Sequence, residues 1–106
     1  MLELSGNTYQ EKLERDELSV VLFKIEGCSP CVAVERKLAL LEEKYEKWNF
    51  YKINLSSFPE LSGTFQIFAS PTIVLFNKGK ELTRFSRNFS IDFITEYMNR
   101  VENAMK

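Results

Sequence analysis

Histidine is absent from this chain, cysteine occurs twice, proline three times and glycine four times. With no histidine and no second cysteine pair, the chain cannot complete a four-ligand zinc site alone; a dimer sharing four thiolates would be needed. No apolar run approaches the roughly 20 residues that cross a bilayer, and Met1-Leu-Glu-Leu-Ser-Gly6 lacks the charged start and apolar stretch of a secretory signal. A cytoplasmic location is therefore expected, and in that reducing milieu a close cysteine pair is more often catalytic or metal-binding than structural. Neither sign of charge prevails: 14 basic against 15 acidic residues, a net charge of −1 and a pI near 5.5. That balance gives no electrostatic reason to expect nucleic acid or an anionic membrane as partner. Repeats, linkers and low-complexity tracts are also missing. With 106 residues, 44% of them hydrophobic, the expectation is one compact domain over 1–106, with another protein or a thiol as partner.

What is present is concentrated in Cys28-Ser29-Pro30-Cys31, where an apolar run gives way to a helical pattern. Two thiols at this spacing on the first turn of a helix can close a disulfide. Orphan backbone N–H groups and the positive end of the helix dipole favour the thiolate of the first. Cys28 is then the attacking sulfur and Cys31, one turn further in, the shielded one that resolves a mixed disulfide. Pro30 suits a helix start because it needs no N–H and its φ is already helical, and Ser29 offers a hydroxyl near the sulfurs. A static structural disulfide is disfavoured, since so short a loop constrains little chain entropy; a shared metal site and chance pairing of buried thiols stay open beside it.

The rest of the chain reads as an alternation of strands and helices. Leu2–Leu4 is a short edge strand, and Thr8 or Asn7 caps a helix through Tyr9, Leu13 and Arg15. Ser19–Ile25 and Thr72–Phe76 are β-branched and apolar, as strands buried on both faces are. Val34, Leu38, Leu41 and Tyr45 recur at helical spacing and predict an amphipathic helix from Pro30 to about Trp48. A strand over Asn49–Leu55 follows, then a short helix over Glu60–Phe68 weakened by Gly63. Asn77-Lys-Gly-Lys80 is a turn with Gly79 at positive φ, and alternating Glu81–Ser86 is an antiparallel partner. Ser90 caps a last helix with a stripe of Ile91, Ile94, Tyr97, Met98 and Val101. The order βαβαβαββα implies an α/β fold with a central mixed sheet and helices on both faces.

In this order, Cys28-Ser-Pro-Cys31, Lys52-Ile-Asn54, Ser70-Pro71-Thr72 and Phe76-Asn-Lys-Gly79 resemble the landmarks of the thioredoxin family, at matching separations over essentially the whole length. The resemblance implies the thioredoxin fold and makes Pro71 a cis-proline facing the cysteine pair, a form that X-Pro bonds adopt at small cost. It further implies that the Ser70 backbone pairs with an extended substrate peptide, so that Gly27, Ser29, Pro30, Ser70 and Pro71 form the substrate-binding surface around Cys28 and Cys31.

Several positions depart from the family pattern. Gly27 and Ser29 stand where thioredoxins usually carry tryptophan and glycine, which removes a large aromatic contact beside Cys28. Leu22 occupies the place of a buried aspartate thought to help move the resolving thiol's proton, leaving Cys31 without an obvious internal base and implying slower turnover than a typical thioredoxin. Lys52 matches a lysine that lies near that carboxylate, and reads as either functional or a snorkelling surface residue. Arg36 replaces a mid-helix proline, so a straighter helix is expected. Arg87 replaces a rim glycine, a cation that either favours acidic targets or is simply solvated. Glu26 is expected to be exposed and screened, and Phe68 and Phe89 are either core residues or a contact patch.

The expected function is a thiol-disulfide oxidoreductase that reduces protein disulfides through a Cys28-Cys31 cycle. No cofactor or metal is expected; the partners are disulfide-containing proteins and, as electron donor, a thioredoxin reductase, and the chain is expected to act as a monomer. A docking module with little turnover and a glutathione-dependent, glutaredoxin-like reductase are the alternatives the same fold can host.

Overall fold

The computed structural model describes residues 1–87 and 89–106. Nine elements follow in order: β1 (Leu2–Leu4), α1 (Tyr9–Arg15), β2 (Leu18–Lys24), α2 (Ser29–Glu42), β3 (Asn49–Asn54), α3 (Glu60–Thr64), β4 (Thr72–Asn77), β5 (Lys80–Ser86) and α4 (Ile91–Ala104). The strands form one sheet in the order β1-β3-β2-β4-β5. β1 and β2 lie parallel to β3, while β4 runs antiparallel to β2 and to β5. This is the mixed sheet that the element order implied.

Strand alternation sorts the core into two layers. Val21, Phe23, Ile53, Val74 and Phe76 face Leu13 of α1 and Leu61 of α3. Val20, Leu22, Phe50, Ile73 and Leu75 face Leu38 of α2 and Ile94 and Met98 of α4. β2 is buried from Leu18 through Phe23 because it lies mid-sheet with helices over both faces. Its C-terminal end delivers the chain directly to the cysteine pair.

Two helices are shorter than their apolar spacing suggests. α2 stops at Glu42 rather than running to Trp48: the Leu41 carbonyl accepts from both Lys44 and Tyr45, and Trp48 N–H turns back to Tyr45. Tyr45 and Trp48 continue the period, yet they do so from turns that seal the edge of the α2–α4 layer. α3 ends at Thr64 instead of Phe68. Gln66 takes a left-handed φ of 55°, and Ile67 N–H reaches Ser62 O at 2.8 Å while Gln66 N–H reaches Gly63 O at 3.3 Å. That pair of bonds is a Schellman stop, usually built on glycine and here on glutamine. At the other helix starts, Thr8 holds the first cap position without a side-chain cap bond, whereas Ser90 accepts from Phe93 N–H. Strand limits shift by a residue: β2 starts at Leu18 and leaves Ile25 outside, and β3 leaves out Leu55.

Candidate active site

β2 ends at Lys24, and the chain turns through Gly27 at φ 70°, a left-handed value that glycine adopts without strain. Among the described residues, none beyond its two chain neighbours comes within 4 Å of where a Cβ at Gly27 would sit, so the space beside this turn is open. Cys28 is the N-cap of α2, extended at φ −94° and ψ 100°, and its sulfur accepts the Cys31 backbone N–H at 3.2 Å. That N–H also reaches the Cys28 carbonyl at 3.1 Å, so a shared donor of the helix start and the positive helix end both act on this sulfur. Pro30 lies in the first helical turn, where its missing N–H costs nothing.

Cys28 and Cys31 are joined as a disulfide with their Cα atoms 5.2 Å apart. The two sulfurs differ in access: Cys28 is half-buried, whereas Cys31 is 1% exposed. An incoming sulfur therefore meets Cys28 first. A pocket of about 280 Å³ opens beside the pair, lined by Lys24, Glu26, Gly27, Ser29 and both cysteines. Among the described residues no cluster of three or more His, Cys, Asp or Glu side chains is arranged to hold a metal ion.

Across from the pair, the Ser70–Pro71 bond is cis. Pro71 is buried and Ser70 half-buried. The Ser70 hydroxyl stands 3.1 Å from the Cys31 sulfur and 4.0 Å from the Cys28 sulfur. It is this hydroxyl, rather than that of exposed Ser29, that the fold brings into hydrogen-bond contact with the sulfurs.

The loop carrying Ser70 is fastened from β5. Arg84 donates to the Gln66 and Phe65 carbonyls at 2.8 and 2.9 Å while both Glu81 carboxylate oxygens hold it at 2.7 Å. A strand normally sends residues three apart to opposite faces. Here Phe76 pairs with Glu81 and Leu75 with Thr83, so Leu82 is an extra residue, a bulge that returns Glu81 and Arg84 to one face. Each partner holds the other charged: the Arg84 hydrogen bond lowers the Glu81 pKa, and the Glu81 hydrogen bond raises that of Arg84. Thr72 closes the loop from its own side by donating to the Ala69 carbonyl at 2.7 Å.

On the α2 side of the sheet, Leu22 is fully buried and stands in register with Lys52. Lys52 has no carboxylate beside it on β2. Its amine instead lies 2.7 Å from Glu35 of α2, whose other oxygen is 3.6 Å from the Lys24 amine. The hydrogen bond from Lys52 is the main cause that lowers the Glu35 pKa, with partial burial opposing it and Lys24 adding a smaller pull. Sequence reasoning passed over Glu35. Its signal was the spacing of four from Cys31, which puts both on one helix face.

Other singled-out residues take definite places. Glu26 is exposed, but its side chain accepts from Asn54 at 2.7 Å and its backbone N–H donates to Ser56 Oγ at 2.9 Å, tying the turn before Cys28 to the end of β3. Arg36 is exposed on an uninterrupted α2. Arg87 is exposed at φ 62° just past β5. Phe89 packs on the α2–α4 layer with its ring 6.3 Å from that of Phe85, whereas Phe68 is 88% exposed.

Compared with known proteins, residues 1–100 match the model of the thioredoxin family. This chain belongs to that family. It is 34% identical over 80 residues to the mitochondrial thioredoxin-2 of Schizosaccharomyces pombe, covering 76% of this chain and 60% of that one. Thioredoxin H2 of Arabidopsis thaliana is 32% identical over 76 residues, 72% of this chain and 57% of its own. The matched part thus spans about three fifths of those two relatives. Among solved structures, thioredoxin f2 of Chlamydomonas reinhardtii superposes with a TM-score of 0.86 at 26% identity, covering 94% of each chain. The thioredoxin of Fasciola hepatica gives 0.83 at 28%, covering 94% of this chain and 98% of its own. The thioredoxin fold therefore extends over 94% of this chain.

Proposed function

We propose that this thioredoxin-family chain is a thiol-disulfide oxidoreductase that reduces protein disulfides. The observation that carries the reading is the asymmetric pair: an accessible Cys28 sulfur aimed at by the helix start, bonded to a buried Cys31. In the reduced form the Cys28 thiolate attacks one sulfur of a substrate disulfide. That bond breaks, the departing thiolate takes up a proton, and Cys28 is left in a mixed disulfide. Cys31 then attacks the Cys28 sulfur, giving the 28–31 disulfide and releasing the second substrate thiol. Two electrons pass to the substrate in all.

Several further points belong to the same proposal. Gly27, Ser29 and Pro30 on one side and Ser70 and Pro71 on the other form the docking rim, the Ser70 backbone pairing with an extended peptide. A thioredoxin reductase returns the two electrons, which makes the chain a link in electron transport and suits a reducing compartment such as the cytoplasm. One domain, acting as a monomer, is sufficient because both sulfurs and the facing loop come from one chain.

The test is reduction of insulin disulfides coupled to NADPH through a thioredoxin reductase. Turnover should vanish in Cys28→Ser, and Cys31→Ser should accumulate a covalent mixed disulfide. Undiminished turnover in Cys28→Ser would refute the assignment.

A further inference from the structure

The resolving step requires a negative charge on Cys31, a sulfur that is 1% exposed and so cannot be stabilised by bulk water. Nearby acids and bases do little for it. Leu22, fully buried in register with Lys52, supplies only hydrocarbon from β2. Glu35, one turn along α2, is engaged by Lys52 and Lys24, and Glu26 is held by Asn54. Lys24 lines the pocket beside the pair with its amine turned to Glu35. The Cys31 backbone N–H is shared between the Cys28 carbonyl and the Cys28 sulfur.

Among the described residues, one polar side chain reaches the buried sulfur: Ser70 Oγ, at 3.1 Å. In the disulfide neither sulfur carries a proton, so the hydroxyl is the donor. Its 4.0 Å separation from the Cys28 sulfur makes Cys31 the favoured acceptor. Half-buried at the entry to β4, with its loop fastened by Arg84 and Thr72, the hydroxyl is held in place before any charge develops. We propose that the Ser70 hydroxyl is a catalytic hydrogen-bond donor that holds the Cys31 thiolate during resolution of the mixed disulfide. It takes no proton itself. The Cys31 proton leaves to solvent or to the departing substrate thiolate, the sulfur–sulfur bond passes from Cys28–substrate to Cys28–Cys31, and the O–H···S bond strengthens as charge builds.

This rests on the reading of Cys31 as the resolving thiol, but its test does not use turnover. In Cys28→Ser only the Cys31 thiol remains, and thiolate absorbance in the ultraviolet follows its ionisation directly. A lost hydrogen bond to a charged group corresponds to roughly a tenfold fall in thiolate fraction well below the midpoint, about one unit of midpoint. Adding Ser70→Ala should raise the Cys31 midpoint by that amount, and Ser70→Thr, which keeps a hydroxyl, should restore most of it. An unchanged or lowered midpoint in Ser70→Ala would overturn the proposal. So would an equal rise in Ser70→Thr, which would assign the effect to shape rather than to the hydroxyl. Failure of insulin reduction with the midpoint shift intact would instead count against the proposed function.

Discussion

Replacing Glu35 by glutamine removes the negative charge between Lys52 and Lys24 while keeping the side chain's shape. A charge-assisted hydrogen bond at 2.7 Å is worth about 1.5–3 kcal/mol when well buried, and exposed pairs about 0.2–1 kcal/mol. The Glu35 and Lys52 side chains are 28% and 22% exposed, and Lys24 at 3.6 Å lies beyond hydrogen-bond range. We expect a loss of about 1 kcal/mol near neutral pH, which a urea m-value of about 1–3 kcal/mol/M turns into a midpoint roughly 0.3–1 M lower. The sign of the pH dependence follows from the lowered Glu35 pKa. A depressed folded-state value means that the stabilisation is complete above the ordinary glutamate range and disappears as pH falls through the lower folded value. Once the pH has fallen below the depressed Glu35 range, so that Glu35 itself is neutral, the glutamine variant and the parent should therefore unfold at converging urea concentrations. Equal midpoints near neutral pH, or a gap that persists in acid, would refute the ion-pair account.

Other perturbations test the remaining features. Leu22→Ala empties a fully buried site and should cost about 2–5 kcal/mol in chemical denaturation, a smaller loss meaning that the layer under α2 collapses to fill it. Arg87→Gly relieves a side chain at φ 62° and should stabilise the chain by about 1 kcal/mol, read as a higher Tm; a lower Tm would assign Arg87 a contact that outweighs the backbone strain. Burial first, and the hydrogen bond to Asp16 second, push the Tyr51 pKa up to about 12. Its neutral form stabilises the fold below the ordinary tyrosine range, and this contribution is lost as pH rises through about 12. Spectrophotometric titration should show a tyrosine ionising well above the ordinary range, and Tyr51→Phe should remove that phase.

Much of the fold was legible because several signals coincided locally. β2 and β4 carry β-branched apolar runs, and α4 has both a serine cap and a continuous apolar stripe. The overextended helices failed for opposite reasons. Tyr45 and Trp48 keep helical spacing while lying in turns, since burial selects them irrespective of backbone shape. α3 ends on Gln66 in a left-handed conformation, a stop that glycine would have announced and glutamine conceals.

At the site, the cysteine pair could be read from neighbours in sequence. The Ser70 hydroxyl could not, because it meets Cys31 from 39 positions away and only the packing of the loop decides its distance. Glu35 was hidden by the same dependence: its meaning comes from Lys52, 17 residues on and on another element. Phe68 and Phe89 were indistinguishable by composition, and the turn that ends α3 exposes the one while the α2–α4 layer takes in the other.

The two carbonyls that Arg84 captures at the end of α3 belong to the segment leading to Ser70 and Pro71, yet the guanidinium comes from β5, an edge of the sheet. The segment from Phe65 to Thr72 is consequently not a portable unit. Grafted into a related scaffold without Arg84, Glu81 and the bulge that aligns them, it would keep every residue near the sulfurs and lose the anchor that places them. Conversely, an engineer who retunes the edge strand for solubility or for a fused partner would be adjusting the reactive centre from the far side of the sheet.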